Sequence, residues 1–349
     1  DVYKRQDPGP GLRKGRKGYK QPVAKRGMAM KATAGRKRGR IEVLDLLRGI
    51  ALIAMAVYHF TWDLEFFGYI ARGTANSGGW RLFARGIASS FLFLVGLSLV
   101  LAHLRGIRWR PFLTRLAQIA AGAAAITVAT LLFTPGSFVF FGILHQIAVG
   151  SLIGLAFVRR STWLAVAAGI LVIALPNLYT TAAMNPRYLA WIGFAAQEPM
   201  SNDIVPIFPW TGIILLGIGC GLWLARNEGW LKLKMLNPAI LSTPLTGPLR
   251  FIGRHSLAFY LIHQPVNIAV IAAWSYVMPP DLTGVFRQEC IAACTAQQPE
   301  QICESYCGCV ETELSDAGLM EPYLANRLTE EQTGDFQDKI SMCTMRTLP

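Results

Sequence analysis

Charge is scarce in this sequence. Only 16% of its 349 residues are Asp, Glu, Lys or Arg, where a soluble domain carries about 25%. Hydrophobic residues make up 52%, and mean hydropathy is +0.36. The deficit excludes an ordinary soluble domain, and the long apolar runs imply several membrane spans. Acids are scarcest in the middle: between residues 41 and 280 there are seven, Glu42, Asp45, Asp63, Glu65, Glu198, Asp203 and Glu228. Cysteine is nearly absent before residue 281, where only Cys220 occurs, and histidine is absent after it.

The charges that do occur are segregated. Residues 1–40 hold 14 Lys/Arg and two acids, whereas residues 281–349 hold 12 acids and four Lys/Arg. The basic arm abuts the first apolar run, so the net charge of +13 reads as a topology signal or a contact with anionic lipid, and no nucleic-acid partner is expected. The opening "DVYKRQ" lacks Met and resembles translated adapter sequence, so residues 1–27 are a candidate artefact, with Met28 or Met30 as candidate starts. No cleavable signal peptide is expected, because basic residues lead directly into a long apolar run.

About seven spans are predicted: 43–62, 82–102, 113–133, 138–158, 162–180, 205–225 and 251–277. The fold expected is an all-α, polytopic membrane helix bundle with a small disulfide-rich helical tail. It divides into a basic cytoplasmic arm (1–40), a transmembrane domain (41–280) and an extracytoplasmic tail (281–349). Arg and Lys cluster before span one, between spans two and three (Arg105, Arg108, Arg110, Arg115), between four and five (Arg159, Arg160), and between six and seven (Arg226, Lys232, Lys234, Arg250). The positive-inside rule then puts the N-terminus in the cytoplasm and the tail outside. A multi-pass protein of a bacterial inner (plasma) membrane is expected.

The tail carries Cys290, Cys294, Cys303, Cys307, Cys309 and Cys343. Cysteines four apart share one helix face. Two such helices packed antiparallel can be joined by two disulfides, leaving Cys309 and Cys343 as a third pair. Disulfides need the oxidising side, where the charge rule puts the tail. The lack of His and of any C-x2-C pair argues against zinc, and no metal is expected.

Ionisable groups inside a bilayer usually face the bundle interior or a wet cavity. His103 and His255 lie near predicted cytoplasmic ends and read as interfacial; His59, His145 and His263 lie deeper. Asp45, Arg48, Leu52, Met55, His59 and Asp63 recur every three or four residues and so share one helix face. Asp45 and Arg48 can pair. Asp63, one turn beyond His59, can hydrogen-bond its imidazole, an arrangement suited to general-base catalysis. The last span repeats the rhythm with Ser256, Tyr260, His263 and Asn267. "HQ" occurs both as His145–Gln146 and as His263–Gln264. Interhelical polar glue is the blander reading, as is helix packing for the glycines of "GIILLGIGCG".

Four segments together resemble one family of membrane enzymes. "RIEVLDLLRGIALIAMAVYHF", with Arg40, Asp45, Arg48, Gly49 and His59, resembles the opening helix of the heparan-alpha-glucosaminide N-acetyltransferase-like family. "FFGILHQIAVGSLIG", "FPWTGIILLGI" with Trp210, and "IGRHSLAFYLIHQPV" follow in the family's order, so the likeness covers residues 40–277. It implies acetyl transfer from cytoplasmic acetyl-CoA to an amine or hydroxyl acceptor, such as an amino sugar, on the far side. Catalytic roles are expected for His59, Asp63 and His263, with His59 as base. Binding of acetyl-CoA or acceptor is expected for Asp45, Arg48, His145, Gln146, Trp210, Arg250, Arg254, Tyr260 and Gln264. Lysosomal members carry a His in the loop after the first helix, but residues 64–80 here hold none. His59 stands where those members have Asn. An acetyl-His in that loop is thereby excluded, while direct transfer and His59 as acyl carrier stay open. A transporter without chemistry is the alternative, with the polar residues lining its path. A homodimer is left open.

Overall fold

The computed structural model describes residues 41–235, 243–244, 246–324 and 327–347. The basic arm, with Arg40 and the candidate starts, lies outside the described residues. Ile41–Pro349 form one compact unit. The helices run α1 (Glu42–Phe66), α2 (Gly78–His103), α3 (Trp109–Phe133), α4 (Ile143–Leu155), α5 (Thr162–Leu178), α6 (Arg187–Ala190), α7 (Ile207–Arg226), α8 (Gly229–Met235), α9 (Thr246–Arg254) and α10 (Ser256–Val277). The tail adds α11 (Leu282–Cys294), α12 (Glu300–Asp316), α13 (Met320–Leu324) and α14 (Glu330–Thr347). Among the described residues the only β pairing is two isolated bridges.

Five helices, α1, α2, α3, α7 and α10, are long and apolar enough to cross a membrane. The fourth and fifth expected spans are apolar but shorter, α4 with 13 residues and α5 with 17. The cause at α4 is local. Residues 138–142 are not helical, with Phe141 bridged to Ile204 and the Val139 N–H held by Thr130 Oγ1 at 2.9 Å. The seventh expected span is also shorter at its start, because the chain leaves helical geometry at His255 (φ −106°, ψ 34°), dividing α9 from α10. Large apolar side chains point outward on these helices, among them Leu132, Phe133, Ile170 and Leu171, as a lipid solvent favours.

Close helix contact is made by glycine. A Cβ on Gly253 would lie 1.8 Å from the Asp45 carbonyl oxygen, and one on Gly49 would lie 2.0 Å from that of Leu249. The α1 and α9 backbones therefore touch, which brings the arginines of α9 to the acids of α1. The glycines of "GIILLGIGCG" are packing residues in the same sense: a Cβ on Gly217 would lie 2.3 Å from the Phe93 carbonyl oxygen of α2.

The tail forms the expected disulfides: Cys290–Cys307, Cys294–Cys303 and Cys309–Cys343. Val310, Leu314, Leu319 and Met320 close a small core beside the third bridge. Glu313 accepts from Lys339 at 2.8 Å and from Arg346 at 3.2 Å, and the Lys339 hydrogen bond holds its carboxyl below the usual range. The loop after α1 ties to the tail's start. The Tyr69 hydroxyl donates to the Met278 carbonyl at 2.6 Å, and the Arg72 N–H donates to Glu289 at 2.9 Å. Alkylation of freshly isolated membranes without reductant is expected to label none of the six tail cysteines and at most Cys220. Labelling of all six would refute the bridges.

Candidate active site

The stripe on α1 faces inward: Asp45, Leu52, Met55 and Asp63 are buried, and Asp63 is 0% exposed. Its two ends form two polar clusters, centred on Arg48 and His59. These residues are 11 apart, about 16 Å along the axis at the α-helical rise.

At the first end, Arg48 Nη1 lies 3.2 Å from Asp45 Oδ1, and Arg254 Nε lies 3.6 Å from Asp45 Oδ2. Arg48 also donates to Ser98 Oγ on α2 at 2.5 Å. Arg250 pairs with Glu42 at 2.5 Å. The three arginines expected to bind acetyl-CoA or acceptor are therefore gathered here, with Asp45 and Glu42 as internal counter-ions. Ser98 gave no signal in the sequence, because a single Ser in an apolar span usually bonds its own helix.

At the second end, the His59 and His263 rings lie 5.1 Å apart between centroids. Asp63 Oδ1 accepts from Gln264 Nε2 at 2.6 Å, and its Oδ2 has no partner. The expected Asp63–His59 hydrogen bond is thus replaced by one across helices. Same-helix spacing cannot reveal a partner that α10 supplies. Asn267 Nδ2 donates to the Ala56 carbonyl at 3.1 Å and holds α10 against α1. Pro265 has no N–H for the Leu261 carbonyl, so the α10 ladder is interrupted beside the site.

The hydrogen bonding of His263 fixes which nitrogen is available. Nδ1 lies 2.7 Å from the Tyr260 carbonyl oxygen. A carbonyl only accepts, so Nδ1 carries the proton and the neutral ring keeps its lone pair on Nε2. Nε2 is buried and unpartnered, as are Asp63 Oδ2 and Gln264 Oε1. Buried polar atoms are normally satisfied. These three atoms belong to α1 and α10, on residues joined through the Gln264–Asp63 hydrogen bond.

The other expected residues divide. His145 is used structurally: its Nδ1 accepts the Gly142 N–H at 3.2 Å, and its Nε2 contacts Thr127 Oγ1 at 3.3 Å, completing the α4 N-terminus. Gln146 is fully buried and donates to Thr211 Oγ1 at 2.8 Å, with its own Oε1 unpartnered. Trp210 packs on the central core. Tyr260 bonds Asp203, a residue that composition alone did not single out. Asp203 accepts the Ile143 N–H at 2.8 Å and the Tyr260 hydroxyl. Burial pushes its carboxyl up to about 6, against the Ile143 N–H and the Tyr260 hydroxyl. The signal was Gly142, where a Cβ would lie 2.3 Å from Asp203 Oδ2. His103, the last residue of α2, is buried at 4% exposure and accepts the Arg108 N–H at 3.2 Å. His255, between α9 and α10, is exposed.

The family described as heparan-alpha-glucosaminide N-acetyltransferase, catalytic, matches residues 40–265, about two thirds of the chain. The chain belongs to this family. The matched stretch holds α1 to α9 and the start of α10, and so includes His59, Asp63, His263 and Gln264. The Cys-rich tail lies outside it. No curated protein and no solved structure matches the chain. The family carries the implication of acetyltransferase activity with acetyl-CoA as co-substrate. Among the described residues no group of His, Cys, Asp and Glu could hold a metal ion.

Proposed function

We propose that the chain transfers an acetyl group from cytoplasmic acetyl-CoA to an amine or hydroxyl of a sugar-like acceptor on the other side of the membrane. The observation that carries the reading is the His59–His263 pair beside a buried Asp63, with three polar atoms unpartnered, in a chain of this family. The seven-span topology, the cytoplasmic N-terminus and the external tail belong to the same reading. The arginine-rich loops and the disulfides support them. A bacterial inner membrane is the setting proposed.

We assign the two histidines the opposite roles to those expected from the sequence, on the hydrogen bonding of His263. His263 Nε2 is the available lone pair and takes the proton of the attacking amine or hydroxyl. His59 makes no hydrogen bond among the described residues, so its N–H is free to stabilise the thioester oxygen as charge builds there. The new C–N or C–O bond forms, the C–S bond breaks, and the thiolate takes back the proton from His263. Asp63, held by Gln264, favours the cationic ring while the proton is on it. Arg48, Arg250 and Arg254 lie about two helical turns or more from this chemistry and would hold the phosphates of the donor.

The test is direct. Purified protein incubated with acetyl-labelled acetyl-CoA and a panel of amino sugars is expected to release CoA and label one acceptor class. No release with any acceptor, from protein that still binds acetyl-CoA, would overturn the reading. At the donor end, Arg48→Lys keeps the charge but loses the planar fork. Acetyl-CoA binding is expected to weaken about tenfold, the scale of one charge-assisted hydrogen bond. Unchanged binding with only a lower yield would make Arg48 structural.

A further inference from the structure

A hollow of about 350 Å³ opens beyond the ends of α2, α4 and α7. Its floor is apolar: Val158 and Leu222 are buried, and Leu104 closes one side. Its rim is three exposed arginines, Arg159, Arg160 and Arg226. Among the described residues no carboxylate pairs with any of them. This separates the hollow from the Arg48 cluster, where Asp45 and Glu42 supply counter-ions.

Compensation of the helix ends does not account for so much charge. Three helices end here, at His103, Leu155 and Arg226. Each C-terminus carries about half a negative charge, so roughly one and a half positive charges remain. A second observation gives the depth. Trp163 and Trp223, each three residues along the chain from a rim arginine (Arg160 and Arg226), are 76% and 56% exposed. Exposed tryptophans gather at the headgroup level of a bilayer. An apolar floor under a cationic rim at that level has the chemistry of basic pockets between spans that hold phosphate headgroups.

We propose that this hollow binds a phosphate ester at the membrane surface, with the guanidinium forks gripping its oxygens. The ester is either the headgroup of an anionic phospholipid lying over the apolar floor or the phosphate of a soluble ester. None of the residues proposed for acetyl transfer lies in it, so its occupancy is read without the reaction.

Native mass spectrometry of the full chain in detergent measures both sources, titrated separately with phosphatidylglycerol, phosphatidylcholine and acetyl-CoA. With Arg159, Arg160 and Arg226 all changed to Gln, phosphatidylglycerol adducts are expected to weaken by about fivefold per arginine, about two orders of magnitude for three. Phosphatidylcholine adducts, and the phosphatidylglycerol adducts of Arg81→Gln at the opposite end of α2, are expected to stay as they are. The triple Lys variant keeps the loop charges that set topology and is expected to lose part of the affinity, because an ammonium lacks the fork. Loss confined to acetyl-CoA would keep the phosphate site and assign it the soluble ester. If neither ligand weakens in the Gln and Lys variants, the arginines only set topology and the proposal is wrong.

Discussion

Changing His263 to Ala is expected to lower acetyl transfer by about two to four orders of magnitude, the range for losing a general base. Acetyl-CoA should still bind. The expectation follows from one nitrogen: Nδ1 is committed to the Tyr260 carbonyl, so Nε2 alone can take a proton. It is buried and has no partner. Removing the ring breaks no hydrogen bond across helices, because Asn267 and Gln264 hold α10 to α1. Folding should therefore survive, and the loss should fall on turnover. His59→Ala is expected to give a loss of comparable order through the oxyanion. The double variant should fall little below the worse single, since residues acting as a unit are not additive. Single-turnover rates with saturating acetyl-CoA check both. Near-normal turnover in folded His263→Ala protein would reduce the ring to packing.

The largest expected effect on folding lies at Gly253. Gly253→Ala puts a methyl group 1.8 Å from the Asp45 carbonyl oxygen, less than any real contact allows. The obstacle is backbone, not a side chain that can rotate, so α9 must move off α1. Overpacking of this kind costs about 3 kcal/mol or more. The shift would also pull Arg254 from Asp45 and Arg250 from Glu42. A lower melting temperature and weaker acetyl-CoA binding are expected together, measured by thermal gel filtration and equilibrium binding. Gly247→Ala has open space around its Cβ and serves as the control. Wild-type melting of Gly253→Ala would mean that the two helices are not in backbone contact.

What was legible in the sequence was local. The α1 stripe could be read because three- and four-residue steps fix a helix face. The tail's pairing could be read because C-x3-C puts two sulfurs on one face, and two faces suffice for two bridges. What failed was set by distant residues. The start of α4 depends on Ile204, which pairs with Phe141. Asp203 is a loop acid until Gly142 makes room for it. The partner of Asp63 comes from α10, so spacing along α1 pointed to His59 where Gln264 stands. The roles proposed for the two His rest on a carbonyl contact that no pattern of residue types encodes.

The most direct measurement uses sealed vesicles holding the full chain, with acetyl-labelled acetyl-CoA outside and an amino sugar trapped inside. The account predicts labelled acetyl-sugar within the vesicles and free CoA left outside, both abolished by His263→Ala. Unmodified sugar crossing the membrane with the thioester intact would contradict it and make the polar path a transport route.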